Sequence, residues 1–490
     1  MNPLSMADLL PLVPEGFLLA SLCILLLADL FIPQSERSTT HWLTVAVLAF
    51  TAILVWRADA DTSLAGSAFS GMFLNDGVAT ICKLFILLTS ALALIYARPY
   101  LIARKLFQGE FYTLTGFAVL GMLLLVSAGN MLTAYLGLEL LALPLYALVA
   151  LDRDNGRSAE AAIKYFVLGA LASGMLLYGI SMIYGASGAL DFGSIRAAAV
   201  SNSPHPWLYG IGVAFVVIGI AFKFGAAPFH MWLPDVYQGA PTAVTLFIGS
   251  APKIAAFGLA YRLLDGALDP WFRYWQAMLV VLVLLSLTIG NLVAIAQTNF
   301  KRMLAYSTIS HVGFLLLGFI AHSAEGYAAA LFYAISYAVT ASAGFGLLML
   351  LSRVGFEAEE IADFRGLNQR NPWYALMMML VMASFAGVPL LVGFLAKFVV
   401  LKAALGVANA ELLWLVIVAG VFAVIGAFYY LRVIKVMYFE APAEAASGPL
   451  PLPQDLAFRW VLSGNVLALL GLGIFGGPLI SWCVRAIAGG

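Results

Sequence analysis

The chain is 490 residues long, 63% hydrophobic and 10% charged, with a mean hydropathy of +0.98; soluble domains carry about 25% charged residues, so this is not one. Lys plus Arg and Asp plus Glu each number 25, which leaves no net field to gather nucleic acid or an acidic partner. Cys23, Cys82 and Cys483 form no C-x-x-C pair, which argues against a zinc or iron–sulfur site and for small buried hydrophobes.

A bilayer crossing takes about 20 apolar residues. Apolar runs bounded by charges or turn residues predict spans near 11-31, 42-57, 77-97, 110-128, 130-151, 159-184, 206-226, 241-263, 271-296, 302-321, 326-352, 372-402, 409-437 and 456-485. The fold class is therefore all-α, a polytopic membrane protein of about fourteen helices. The first run has Asp8 and Glu15 ahead of it and no basic residue, so it reads as a retained span and not a cleaved signal. With the N-terminus outside, the cytoplasmic loops hold fourteen basic residues: Arg37, Arg98, Arg104, Lys105, Arg153, Arg157, Lys301, Arg302, Arg353, Arg365, Arg370, Arg432, Lys435 and Arg459. The opposite face holds six, Arg57, Arg196, Arg262, Arg273, Lys402 and Arg485. This bias predicts both termini on the non-cytoplasmic side. Two loops are longer, the mixed-charge stretch 353-371 and the Pro-rich stretch 440-455, and neither is large enough to be a soluble catalytic domain.

Five lysines fall inside spans: Lys83, Lys164, Lys223, Lys253 and Lys397. Glu139 joins them near the middle of 130-151. A charge at a helix centre costs about 2.5–3.5 kcal/mol to insert. Six cost on the order of 18 kcal/mol, above the roughly 5–15 kcal/mol net stability of a domain, so a function is needed to retain them. Lys83 lies a turn or two from its span end and is expected to snorkel, an option also open to Lys164; Lys223, Lys253 and Lys397 lie too deep. A desolvated lysine can trade its proton, whereas arginine holds it. Glu139 supplies the opposite charge, and a Glu/Lys pair would titrate as a unit.

Two of these spans carry helix breakers. In FKFGAAPFHMWLPDVYQGAP, Lys223 is followed by Gly225, Pro228, His230, Pro234, Asp235 and Pro241; in SFAGVPLLVGFLAKF, Gly387, Pro389 and Gly393 precede Lys397. Freed carbonyls at membrane depth are tolerated only where protein or water satisfies them, and two broken helices point to a pathway near the midplane. His230 and His311 are candidate relays, with a satisfied core hydrogen bond as the alternative. Gly471, Gly473 and Gly476 match G-x-G-x-x-G but lie in an apolar span with no preceding strand, which makes them packing glycines. The five histidines show no facing pair for haem.

The segments GLELLALPLYALVAL, EAAIKYFVLGALASGMLLYGISMIYGASG, KFGAAPFHMWLPDVYQGAPTAVT, QTNFKRMLAYSTISHVGFLLLG and AGVPLLVGFLAKF closely resemble the antiporter-like proton-pumping subunits of respiratory complex I, and the likeness spans nearly the whole chain. The resemblance implies two inverted five-helix repeats, 110-263 and 271-437, after N-terminal helices in 1-109 and before a loop and last helix in 438-490. It implies that Glu139 and Lys164 form the carboxylate–lysine pair of a first half-channel, with Lys223 central and Lys253 relaying to the second half. Lys397 would serve the outward half-channel, with His230 and His311 between. It also implies that FMN, iron–sulfur clusters, NADH and quinone are bound by other subunits, with no cofactor or metal in this chain. The implied partners are the other membrane subunits and, through them, a peripheral redox arm. The early spans without a targeting peptide favour a bacterial inner membrane. A free-standing cation/proton antiporter and an inert scaffold are the competing readings.

Overall fold

The computed structural model describes residues 9–61, 64, 66–200, 206–407, 412–442 and 455–489, so most of the Pro-rich stretch 440-455 and Asp8 lie outside the described residues. The helices in chain order are α1 Val13–Asp29, α2 Ser38–Ala60, α3 Gly77–Ala103, α4 Gly109–Val126, α5 Met131–Val149, α6 Gly156–Ser187, α7 Phe192–Val200, α8 Pro206–Phe224, α9 Trp232–Gly239 and α10 Thr242–Gly249. They continue as α11 Ala251–Ala260, α12 Phe272–Ala296, α13 Phe300–Ile320, α14 Ala324–Leu351, α15 Pro372–Ala386, α16 Val392–Val407, α17 Leu413–Phe439, α18 Leu456–Ile474 and α19 Gly477–Ala488. One small hairpin, β1 Gly66–Ala68 and β2 Phe73–Asn75, precedes α3.

Among the described residues, thirteen helices are long and apolar enough to cross a membrane. The predicted span 372-402 adds a crossing made of two pieces, α15 and α16. The predicted span 456-485 needs correction: α18 stops at Ile474, and a separate α19 starts at Gly477 with a proline in its first turn. That helix lies against the start of α3, where a Cβ on Gly77 would sit 3.0 Å from Ala486 Cα.

Short polar side chains start many spans by accepting a hydrogen bond from an orphan N–H of the first turn. Asp76 caps Ala79, Asn130 caps Leu132, Asn155 caps Arg157, Asn299 caps Arg302, Asn371 caps Tyr374 and Asp455 caps Phe458. The centre is α10–α11, α13 and α14, whose apolar windows are 94%, 94% and 100% buried, against 28% for α2. Outer helices therefore meet lipid or neighbouring chains, while the central ones can carry polar groups away from lipid.

The charged residues sort to two ends. At the end rich in basic residues, Arg98 pairs with Asp455 at 2.7 Å, Arg302 with Asp235 at 2.8 Å, Arg365 with Glu440 at 2.9 Å, and Arg104 with Glu357. At the other end Arg262 is 5% exposed, not a free loop residue; it grips Asp76 with two bonds of 2.6 and 2.7 Å and donates to Val126 O at 3.0 Å. Burial alone would raise the Asp76 carboxyl, but the Arg262 charge and hydrogen bonds hold it below the usual carboxylate range.

Lys83 does not snorkel. Its residue is 2% exposed, and its Nζ lies 2.7 Å from Glu15 Oε1 and 4.7 Å from the centre of the Phe73 ring. Glu15 lies inside α1, also 2% exposed, and not ahead of the first span. The hairpin explains the difference, because Phe73 on β2 covers the lysine head on its way to water. Lys83→Met strands a buried carboxylate, a change that costs about 3–5 kcal/mol. The amount of assembled protein should fall on a native gel, and adding Glu15→Gln should restore most of it; native amounts for the single variant would show the pair to be dispensable.

Candidate proton-transfer site

Both predicted helix breaks are present. The helix α8 ends at Phe224 because Gly225 turns left-handed (φ +76°) and Pro228 offers no N–H. The helix α15 ends at Ala386, where Gly387 has φ +89° and Pro389 follows. Each break leaves carbonyls unpaired at the negative end of a helix dipole. A lysine ammonium meets each set. Lys253 Nζ donates to Phe224 O at 2.8 Å, and Lys397 Nζ donates to Phe385 O at 2.9 Å and Ala386 O at 3.0 Å. The two arrive by different routes, Lys253 from α11 and Lys397 from α16, the second half of its own broken helix. They are 3% and 8% exposed, over the rings of Trp232 and Phe314 at 5.7 and 5.3 Å from the centroids. Cation–π contact replaces part of the hydration they have lost.

Lys223, one residue before the end of α8, is half-buried and shares a cavity with Lys253, Tyr165 and Trp232. The carboxylate whose charge reaches it is Glu139 on α5, without a direct ion pair between the two. Glu139 is half-buried and accepts a hydrogen bond from the Ser173 hydroxyl on α6. The structure thus brings Glu139, Lys223 and Lys253 into one run across α5, α8 and α11.

Lys164 does not join Glu139. Its side chain is 43% exposed and pairs with Glu160 and with Asp235, each at 2.8 Å, while Asp235 also holds Arg302. The reason is helix rise. Ser173 is the α6 residue opposite Glu139, and the nine residues back to Lys164 displace it by about 13 Å along the axis. In place of the expected Glu139–Lys164 pair, Glu139 is bonded to Ser173 and Lys164 to Glu160 and Asp235.

His311 on α13 is 7% exposed and bonded on both ring nitrogens, Nδ1 to Tyr333 OH at 2.6 Å and Nε2 to Tyr430 OH at 3.0 Å. Ser307 bonds Tyr430 OH in turn, and Thr308 Oγ1 lies 2.6 Å from Tyr337 OH. A cavity joins His311, Tyr333 and Tyr337 to Phe385, Gly393 and Ala396 at the second break. Such a hydroxyl–imidazole row can pass a proton by exchange of bonds. His230 stands apart from it, half-buried in the first break beside Tyr306 with ring centroids 6.4 Å apart. Tyr306 and His311 are five residues apart, about 140° around α13, so the two predicted relays meet different faces of that helix.

The tyrosines Tyr333, Tyr337 and Tyr430 and the hydroxyls Ser307 and Thr308 were not read from the sequence. Their signal is spacing: Tyr333 and Tyr337 are four apart on α14, and Thr308 and His311 three apart on α13, which puts each pair on one face. At the opposite end, Asp265, Asp269 and His322 bring one potential ligand atom each within 4.8 Å of one another. His322 Nε2 and Arg196 both bind Asp269, at 2.7 and 2.6 Å, which makes this an ion-pair cluster tying α7 to the turn between α11 and α12.

The NADH:quinone oxidoreductase/Mrp antiporter transmembrane family matches residues 128–426, the stretch that holds Glu139 through Lys397. The NADH-quinone oxidoreductase subunit N of Thioalkalivibrio sulfidiphilus is 50% identical over 485 residues, 98% of either chain. That of Xanthomonas euvesicatoria is 53% identical over 487 residues, 99% of this chain and 98% of the relative. Among solved structures, a chain of respiratory complex I from Thermus thermophilus with bound aureothin superimposes with a TM-score of 0.80 at 31% identity, covering 98% of this chain and 100% of that one. The chain therefore belongs to the subunit N group of the NADH:quinone oxidoreductase/Mrp antiporter transmembrane family.

Proposed function

We propose that this chain is a proton-translocating membrane subunit of NADH:quinone oxidoreductase, a translocase subunit in which protons move along Glu139, Lys223, Lys253, the His311 hydroxyl row and Lys397. The observation that carries the reading is the pair of lysine ammoniums seated on the open carbonyl ends of two broken helices. A charged lysine there neutralises the helix terminus, while a lysine that has given up its proton leaves the terminus bare and favours a proton arriving from the next group in the row. Each transfer thereby changes the field at its neighbour. Coupling is then a matter of linked protonation between distant sites, which needs different proton affinities in at least two states.

FMN, iron–sulfur clusters, NADH and quinone belong to other subunits in this reading, and they supply the electron transfer that drives the cycle. The work left to this chain is to hold and move protons. Its partners are the other membrane subunits and, through them, the peripheral redox arm. The helices from 110-263 and 271-437 form two inverted repeats, one per break, between the helices of 1-109 and those of 438-490. The excess of basic residues at one end makes that end cytoplasmic, with both termini outside a bacterial inner membrane.

The test is a native gel of gently solubilised membranes carrying a tagged copy of the chain, stained in-gel for NADH oxidation. Migration with a large NADH-oxidising band is expected. A smaller particle without that activity, in membranes that show sodium-dependent proton flux, would replace this reading with a free-standing antiporter.

A further inference from the structure

Lys301 is a fourth buried lysine, after Lys83, Lys253 and Lys397, although the sequence reading puts it in a loop of the basic face. It occupies the first turn of α13, 2% exposed. Its Nζ donates to Ala240 O at 3.2 Å and lies 3.2 Å from Glu359 Oε1. Ala240 is the residue that closes α9, the second half of the first broken helix. Lys301 therefore repeats the arrangement of Lys253 and Lys397, a buried ammonium on a carbonyl at the end of a helical segment. Unlike them, it has a carboxylate partner.

That partner faces water. The Glu359 side chain is 23% exposed and lines a cavity together with Lys301, Glu357, Arg104, Asp152 and Arg157, so the cavity lies at the basic face. The stretch bearing Glu359 is pinned over the start of α13: Phe300 N donates to Glu359 O at 2.6 Å, Asn299 Nδ2 to Glu359 Oε2 at 3.2 Å, and Ile361 N to Thr298 O at 2.9 Å. Inward from Lys301, Thr308 follows on α13 after seven residues, within about 20° of the same stripe, and His311 three residues later. The buried Tyr237 hydroxyl from α9 lies beside Thr308, without a hydrogen-bond partner in the geometry present. Water-facing carboxylate, buried lysine and hydroxyl row are thus in sequence from the cavity to His311.

We propose that Lys301 and Glu359 form a proton-uptake gate that loads the His311 row from the basic face, an inference that rests on the proton-pumping reading above. The Glu359 carboxylate takes a proton from hydronium and leaves water. Lys301 passes one proton to the hydroxyl row and regains one from Glu359, so the gate returns to its starting charge with one proton moved inward. Ala240 O holds the Lys301 head in place, as ammonium and as amine, through its remaining N–H bonds.

The test uses the complete complex in sealed membrane vesicles, with proton translocation and NADH oxidation recorded together for K301R, E359Q, E359D and K397A. Arginine keeps the charge and the ion pair but holds its proton. A purely structural pair would leave K301R native. The gate requires K301R and E359Q to slow coupled proton translocation by roughly tenfold or more, as expected when a positioned proton-transfer group is lost, with E359D recovering part of it. Native translocation in K301R and E359Q beside a slow K397A overturns the gate and leaves the wider reading standing; native translocation in all three overturns both. If K301R fails to assemble, the contrast between E359Q and E359D decides, and equal rates for those two overturn the gate.

Discussion

Lys397→Ala should lower proton translocation coupled to quinone reduction by roughly tenfold or more while the complex still assembles, because one positioned proton-transfer group contributes about 10²-fold or more to a step that depends on it. The ammonium is the group that satisfies Phe385 O and Ala386 O at the second break. Its removal leaves those buried carbonyls unpaired, at about 1–3 kcal/mol for each one that water does not reach. That cost is local. The break itself is set by Gly387, whose φ of +89° excludes most side chains and whose added Cβ would lie 3.2 Å from Lys397 Cδ. The amount of assembled complex on a native gel separates the structural effect from the transport effect. Native pumping per NADH in Lys397→Ala, at native amounts, would remove this lysine from the path.

The second large effect is expected at the other break. Lys223→Ala and Glu139→Gln should each lower pumping by a similar factor, and the double variant should be little worse than either alone. The reason is that Glu139 and Lys223 serve the same transfer in the proposed path, so losing either interrupts that one step and their losses do not add. Lys223→Ala alone leaves Glu139 without its cationic neighbour, whereas the double variant does not; assembly should therefore be better in the double than in Lys223→Ala. Losses that multiply in the double variant would mean that Glu139 and Lys223 act in separate steps.

The membrane class, the crossings and the two breaks were legible in the sequence because each rests on a local property: apolar length, or a glycine and proline close together. The depth of Lys223, Lys253 and Lys397 followed from the same counting. What escaped depended on tertiary cover and helix phase. Lys83 stands a short way into α3, yet Phe73 from a hairpin closes it off and Glu15 neutralises it. Lys164 and Glu139 are both in spans, but the α6 residue opposite Glu139 is Ser173. Lys301 was assigned to a loop because a boundary was misplaced by two residues; α13 begins at Phe300, so the lysine is inside. The tyrosine row around His311 joins α13, α14 and α17; spacing puts Tyr333 with Tyr337 and Thr308 with His311 on one face each, but which faces meet across helices that far apart along the chain leaves no periodic trace in it.

The central claim is that lysines seated on the open ends of broken helices carry protons, and Lys253 tests it most directly, since among the described residues its Nζ makes one hydrogen bond, to Phe224 O, and pairs with no carboxylate. Lys253→Met keeps most of the unbranched apolar stem of the side chain and removes the titratable head. The measurement is protons translocated per NADH oxidised in sealed vesicles, with complex content fixed by native gel. A ratio or a coupled rate well below that of the unaltered complex is the expected result; both at native values, with native content, would contradict the account.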